Sequence, residues 1–200
     1  AWGPGAADNV SGVSTILEAG RAIGDAAVAG FRPKRTIVLA TWDGEEWGLV
    51  GSMEYVEQMA DTLREKAVAY LNLDVSANGR NFHAAGTASL WAFLRDLAAS
   101  ARQPGDSVSV YEAWRRATRS PDSASVPIGD LGGGSDFAGF YNVLGIPSFD
   151  FGFGGRYGVY HSAYDSRHWM ETFGDPGYRY HATAARIGAA MVLRLANADV

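Results

Sequence analysis

The sequence predicts an α/β protein whose mostly parallel central sheet carries helices on both faces, as a three-layer sandwich. Two apolar runs rich in strand-forming residues, Arg35–Thr41 and Val68–Asp74, each end at or just before acidic residues. Segments with the apolar spacing of amphipathic helices alternate with these runs along the chain. Because each crossover places a helix on one face, such alternation favours a parallel sheet covered by helices.

The remaining elements follow from periodicity and from signals at helix ends. In the first helix, Val13 and Ile16 share one face, and Gly30 suits its end. Asp175 is the predicted cap of the last helix, with Pro176 as its first residue. In chain order we expect helices at Val10–Gly30 and Ser52–Lys66, a strand at Asn81–Ala85, a helix at Ser89–Arg102, a short helix at Phe137–Leu144, a strand at Ile146–Phe151 and a helix ending near Asn197.

The composition restricts the classes of function. A chain of 200 residues with 47% hydrophobic content predicts a single domain over residues 1–200 with a sizeable core. A net charge of −5 argues against nucleic acid or an anionic membrane surface as partner, and no apolar run is long enough to span a bilayer. With no cysteine and four histidines, any metal must be held by imidazole and carboxylate ligands.

An acidic turn follows the first strand-like run. Asp43, Glu45 and Glu46 lie within four residues, and Gly44 allows the chain to turn sharply between them. Taken alone, a solvated acidic turn is the simpler interpretation. In open α/β sheets, however, ligands bind beyond the carboxyl ends of strands. Two adjacent glutamates can point in different directions, one towards a metal and one towards a water, which is a geometry for metal-assisted hydrolysis.

Other candidate ligands lie at comparable places. Asp74 ends the second run, His161 follows a loop framed by aromatic residues, and Asp8 lies in a loop that enters the first helix. Asp8 can instead cap that helix, and Asp74 can instead form a turn. If these residues converge with Glu45 and Glu46, their like charges raise one another's pKa unless a divalent cation is present. Carboxylate and imidazole ligands suit Zn²⁺.

Four motifs, taken in order, resemble those of the zinc peptidases that include glutamate carboxypeptidase II and its non-catalytic relative, the transferrin receptor. The resemblance extends over nearly the whole chain and implies the zinc-exopeptidase (phosphorylase/hydrolase-like) fold. The motifs are Trp42–Ser52, Leu71–Asp74, Leu131–Phe137 with Leu144–Ser148, and Tyr160–Asp165.

The resemblance also implies a role for each candidate residue. Asp8 would bridge two zinc ions about 3.5–4 Å apart. Glu46 and His161 would complete one metal site, and Asp74 would serve the other. Glu45 would be the general base that moves a proton from the metal-bound water to the leaving amine.

On the substrate side, the resemblance implies that the hydroxyl of Tyr160 supports the oxyanion. Gly134 and Ser135 would line the substrate pocket with Tyr160. The implied substrate is a peptide or an N-acylated amino acid, cleaved by an exopeptidase of carboxypeptidase or aminopeptidase type. The resemblance alone favours an extracytoplasmic or secreted location, and it implies a homodimer for the full-length protein.

The sequence departs from the family pattern in two ways. The pattern places a further His ligand, in a His-x-Asp motif, before the position of Ala1, and it includes apical and helical domains that this chain lacks. Asp150 and Gly152 stand where arginines that read acidic residues would be expected. We therefore expect no preference for acidic peptides, two zinc ions in the complete enzyme, none or one in this chain, and impaired activity.

Two alternatives remain open at this point. The first is a non-catalytic, transferrin-receptor-like interaction domain of the same fold. Such a domain has no reason to keep Glu45, Glu46, Asp74 and His161 together. The second is a metal-dependent deacetylase or amidohydrolase that acts on non-peptide amides with the same chemistry.

Overall fold

The computed structural model describes residues 3–121 and 125–199, which fold as a mixed α/β structure around a three-stranded sheet. The strands are β1 Tyr70–Asn72, β2 Asn81–Gly86 and β3 Ser148–Gly154. The α-helices are α1 Val10–Val28, α2 Val50–Lys66, α3 Trp91–Ser100, α4 Val110–Ala117, α5 Arg167–Trp169 and α6 Arg179–Asn197. Short 3₁₀ turns cover Glu45–Trp47 and Ala88–Leu90, and π-helical turns cover Gly139–Val143 and Met170–Gly174.

The central strand of the sheet is β3. It pairs in parallel with β1, where Leu71 lies opposite Phe149, and antiparallel with β2, where Ala84 lies opposite Phe151. Successive side chains of a strand point to opposite faces of the sheet. Accordingly, Leu71 packs against one apolar cluster and its neighbour Tyr70 against another. The sheet therefore lies between two cores, which gives the three-layer arrangement.

The larger core surrounds the phenylalanines of β3. Phe149, Phe151 and Phe153 are at most 1% exposed. Apolar side chains of β2, α3, α4 and α6 pack around them. Phe82 of β2 meets the Trp114 ring of α4 edge-on, with ring centroids 5.1 Å apart. The apolar faces of these helices thus pack against a row of buried aromatic side chains on β3.

The smaller core lies under α2. Val56 packs with Phe140 and Ile146, and Tyr70 stacks on Phe140 with ring centroids 4.0 Å apart. Trp42, the residue just before the acidic turn, joins this cluster. Its indole Nε1 also donates a hydrogen bond of 3.0 Å to the Tyr70 hydroxyl. The cluster therefore fixes the start of the acidic turn against the sheet.

The prediction of a strand at Arg35–Thr41 is wrong. Within the described residues this segment takes part in no strand pairing, and Val38 and Leu39 are 70% and 49% exposed. The Arg35 amide donates instead to the carbonyl of Ala196 at the end of α6. A cavity of about 790 Å³ is lined by this segment together with β1 and its flanks. Strand-forming residues need a ladder partner, and here the apolar run has none on the described chain.

The ends of several other elements differ from the prediction. The last helix begins at Arg179, so Pro176 lies in the turn before it rather than at its first position. Asp175 still caps it, because its carboxylate accepts hydrogen bonds from the amides of residues 179–181. The strand predicted from Val68 to Asp74 is confined to β1, and the helix predicted at Phe137–Leu144 to a π-helical turn. No helix among the described residues is long and apolar enough to cross a membrane.

Candidate active site

The first turn of α1 rests directly on the carboxyl end of β1. A Cβ atom on Gly12 would come within 1.9 Å of the Leu73 carbonyl oxygen, so only glycine permits this approach. The hydroxyl of Ser11 accepts a hydrogen bond of 3.0 Å from the Ser76 amide, which joins the same helix turn to the loop after β1. These contacts carry Asp8, just before the helix, to the end of the sheet near Asp74.

The acidic turn has the sharp bend that its glycines predict. Gly44 has a φ of 66° and Gly48 a φ of 99°, and a single 3₁₀ turn, Glu45–Trp47, lies between them. Left-handed backbone of this kind is accessible to glycine at little cost. The turn places Glu45 and Glu46 on consecutive positions a few residues before α2, which begins at Val50.

Three of the predicted ligands converge. Nε2 of His161 lies 3.0 Å from Oδ2 of Asp8 and 3.0 Å from Oε1 of Glu46. One donor atom from each residue lies within 4.8 Å of the other two. Donors about 2.0–2.2 Å from a tetrahedral zinc stand roughly 3–4 Å apart, so this set fits such an ion. His161 has a φ of 54°, and its ring stacks on Tyr160 with centroids 3.7 Å apart.

Asp74 lies beside this group and is held by a polar network. The hydroxyl of Ser135 donates to Oδ2 of Asp74 at 2.8 Å. The side-chain amide of Asn72 donates to Ser135 at 3.1 Å and to Oδ1 of Asp150 at 3.2 Å. Asp74 is not one of the three residues whose donors lie within 4.8 Å of one another. Its orientation is nevertheless fixed by neighbours from β1, from β3 and from the segment Leu131–Phe137, which contains Ser135.

The carboxylates of the site raise one another's pKa. Burial raises the pKa of Asp8, with the charges of Asp74 and Glu46 as further causes, while His161 opposes them. Burial also raises the pKa of Glu45 to about 7, with the charge of Asp74 as the next cause. Such a cluster is costly without a cation, and a bound divalent ion would favour the charged form of every member. The donor set and its electrostatics therefore both fit a metal.

The predicted substrate-binding residues differ in accessibility. Tyr160 is 56% exposed, and burial together with the carboxylate charges raises its pKa, so its hydroxyl stays protonated. Gly134 is exposed and its Cα borders open space. Ser135 is only 6% exposed, and its hydroxyl contacts Asp74. The structure thus leaves Tyr160 and Gly134 open to a substrate and shows Ser135 as a support of Asp74.

Two supporting carboxylates were missed from the sequence. Asp136 accepts a short hydrogen bond from Ser52 of α2. Asp165, which is 2% exposed, accepts hydrogen bonds from the backbone amides of Ala7 and Asp8. Asp136 lies in the motif Leu131–Phe137 and Asp165 in the motif Tyr160–Asp165, so their position in these motifs was the available signal.

The cavity beside the segment 35–41 is distinct from the ligand cluster. Its wall includes Asp74 and Asp136, whereas Asp8, Glu46 and His161 are not among the described residues that line it. The wall is otherwise mostly apolar. The three converging ligands therefore lie outside this cavity, on the acidic turn, the His161 loop and the loop that carries Asp8.

The chain is similar in sequence to known peptidases. The family model of peptidase family M28 matches residues 1–183. The chain is 41% identical, over all of its length, to a probable glutamate carboxypeptidase LAMP1 of Arabidopsis thaliana, of which it covers 29%. It is 37% identical over 98% of its length to the aminopeptidase NAALADL1 of Mus musculus, of which it covers 28%. The chain therefore spans less than a third of the length of these curated relatives.

Solved structures show the same fold at lower sequence identity. The aminopeptidase LapA of Legionella pneumophila superposes with a TM-score of 0.72 at 21% identity, covering 99% of this chain and 48% of that one. An aminopeptidase from Aneurinibacillus sp. strain AM-1 gives a TM-score of 0.67 at 22% identity, covering 99% and 41%. These matches establish the α/β fold class of the chain.

Proposed function

The chain belongs to peptidase family M28, and from this premise we propose that it carries the catalytic site of a zinc-dependent exopeptidase that hydrolyses peptide bonds. The observation that carries the proposal is the convergence of Asp8, Glu46 and His161 at metal-ligand spacing, next to a glutamate whose pKa lies near 7. A non-catalytic interaction domain would need none of these features.

The metal would be held by the three converging residues. Three protein ligands and one open position are the usual shell of a catalytic zinc, and the ion supplies Lewis acidity and an activated water. Asp8 and Asp74 supply carboxylates for a second metal. Because two carboxylates bind zinc more weakly than two carboxylates and an imidazole, we propose unequal sites for the described ligand set.

Glu45 would act as the general base. Its carboxylate, whose pKa burial raises to about 7 in the metal-free protein, would accept a proton from the attacking water and return it to the leaving amine. The protonated Tyr160 hydroxyl would donate a hydrogen bond to the developing oxyanion. The charge of Asp74, which Ser135 holds in place, is the second cause, after burial, of the raised pKa of Glu45 in the metal-free protein.

The substrate class is inferred from the relatives' names and from the site. Both carboxypeptidase and aminopeptidase are names of relatives, so the proposal extends to exopeptidase and no further. Asp150, whose pKa burial raises to about 7, stands on the strand beside Asn72 and offers no cation for an acidic side chain. That the full-length protein is a homodimer stays a prediction, which light scattering can test.

The variant Glu45→Gln in the full-length protein tests the proposal. We expect it to retain zinc and to lose about 10²–10⁴-fold in peptide hydrolysis, because the amide cannot accept the water's proton. Zinc content and a peptide-library digest, followed by mass spectrometry, are measured on the same sample. The control is Glu57→Gln, an exposed glutamate of α2, which should leave both values unchanged.

Three results would change the assignment. A loss below about tenfold in Glu45→Gln would place the base elsewhere. A parallel loss of zinc would make Glu45 a ligand. If the wild-type protein binds zinc and cleaves N-acylated amino acids but no peptide, the activity is that of a deacylase or amidohydrolase.

A further inference from the structure

The loop that carries Asp8 is tied to the loop that carries His161 by one buried carboxylate. Asp165 lies four residues after His161 and is 2% exposed. Its Oδ1 accepts a hydrogen bond of 2.9 Å from the Ala7 amide, and its Oδ2 accepts one of 3.1 Å from the Asp8 amide. Its backbone carbonyl also accepts from the Ala6 amide at 3.0 Å. Three consecutive amides are therefore held by a single residue.

A third donor completes the environment of this carboxylate. The Tyr157 hydroxyl donates to Oδ2 of Asp165 at 2.6 Å. Burial and the Asp165 carboxylate raise the pKa of Tyr157, so the hydroxyl keeps its proton and remains a donor. The Tyr157 ring also packs between Trp169 and Tyr160, with centroid distances of 5.4 and 5.7 Å. The same tyrosine thus supports Asp165 and the aromatic ring that stacks on His161.

We propose that Asp165, oriented by Tyr157, is a positioning residue that holds Asp8 and His161 at metal-ligand spacing. The inference rests on the proposed metal site. Asp8 and His161 are separated by 152 residues of chain, and each lies in a loop outside the strands and α-helices. Backbone amides bonded to an ionised carboxylate make charge-assisted hydrogen bonds, which are about twice as strong as neutral ones. Such bonds suit a loop whose ligand must be fixed before the metal binds.

The variant Asp165→Asn tests the proposal in the full-length protein. Its amide has one acceptor oxygen and places an NH₂ group against one of the three donors. At least one of the hydrogen bonds to the side chain of residue 165 is therefore lost, while the size of that side chain is unchanged. We expect zinc affinity, measured by competition with a chromophoric chelator, to fall about 10–100-fold, as for other groups that orient ligands. The absorption spectrum of the cobalt-substituted protein should change, and amide exchange of the peptide that contains Ala7 and Asp8 should accelerate.

Asp175→Asn is the matched control. Asp175 is also a buried carboxylate, 1% exposed, and it also accepts hydrogen bonds from backbone amides, at the start of α6. It should lose stability as Asp165→Asn does, while zinc affinity stays within about threefold of wild type and the cobalt spectrum is unchanged. Equal losses of zinc affinity in the two variants would show that Asp165 is a structural residue only and would overturn the proposal.

A milder variant keeps the test decisive if Asp165→Asn does not fold. Tyr157→Phe preserves the ring packing and removes one donor, and it should weaken zinc binding by a smaller factor than Asp165→Asn, of about 3–10-fold. An unchanged zinc affinity in either variant overturns the positioning role while leaving the proposed function intact. Failure of the wild-type protein to bind zinc would overturn both, so the two failures are distinguishable.

Discussion

Two segments with similar apolar character have different structures in this protein. Ile146–Phe151 leads into β3, which pairs on both edges and buries three phenylalanines. Arg35–Thr41 has the stronger strand composition, yet it is unpaired along the described chain and leaves Val38 70% exposed. Strand propensity therefore selects an extended backbone, whereas burial depends on a partner strand.

The difference extends to how each segment supports the site. β3 contributes Asp150, which receives a hydrogen bond from Asn72 within the network around Asp74. Trp42, which lies between the Arg35–Thr41 segment and the acidic turn, packs on Tyr55 and Phe140. The acidic turn is therefore anchored by an aromatic cluster rather than by the strand that was expected to precede it.

The largest expected effect is that of Phe151→Ala in the paired strand. Phe151 is 1% exposed and lies in the larger core, so its truncation leaves a cavity. We expect a loss of about 3–5 kcal/mol in the free energy of unfolding, measured by urea denaturation. A loss below about 1 kcal/mol would mean that the pairing of β3 does not produce a tightly packed core.

Trp42→Ala should have the next largest effect. The side chain is half-buried, and its loss removes the ring contacts and the hydrogen bond to Tyr70. We expect about 2–3 kcal/mol of destabilisation and faster amide exchange in residues 43–49. Phe173→Ala, an aromatic side chain that is 69% exposed, is the control and should cost less than about 1 kcal/mol. Unchanged exchange in the turn would show that Trp42 does not anchor it.

The pH dependence of zinc stabilisation is a smaller and more specific test of the acidic turn. The pKa of Glu45 is raised to about 7 and that of Asp8 is also raised. For groups whose folded pKa is above the unfolded one, the stability present at low pH is lost as pH rises through the folded pKa. The zinc-free protein should therefore lose part of its stability between about pH 4.5 and 7.

Zinc should reverse this trend, because a cation favours the deprotonated carboxylates and competes with protons for them. The increase in melting temperature on adding zinc should therefore be larger at pH 8 than at pH 5. Thermal unfolding with and without zinc measures this difference, and Glu45→Gln should flatten the zinc-free part of the profile. A zinc-induced increase that shrinks as pH rises would contradict the assignment of these carboxylates to a metal site.

The smallest effect is expected for Val38→Ser in the unpaired segment. Because the side chain is 70% exposed, the free energy of unfolding should change by less than about 0.5 kcal/mol. The same urea denaturation is used as for Phe151→Ala. A loss approaching that of Phe151→Ala would show that Val38 is buried in solution and that the segment has found a partner.

Much of the site was predictable from the sequence because its residue types are restricted by chemistry. A chain without cysteine can bind zinc only through imidazole and carboxylate. Of the four histidines, His161 follows a loop framed by aromatic residues, and several acidic residues lie at the ends of predicted strands. The convergence of Asp8, Glu46 and His161 is in line with the family motifs. Helices such as α1 and α2 were predictable as well, since their apolar periodicity is local.

The sequence by itself determined the family, long helices such as α1 and α2, and the set of candidate ligands, because each depends on short motifs or on local periodicity. The tertiary structure alone decided that Arg35–Thr41 has no ladder partner among the described residues, that Ser135 supports Asp74, and that Asp165 holds the loop of Asp8. The hydrogen bonds of Asp165 to Ala7 and Asp8 join residues 158 and 157 positions apart. No local pattern specifies such a contact, since it exists only once β1, α1 and the loop around His161 have packed together.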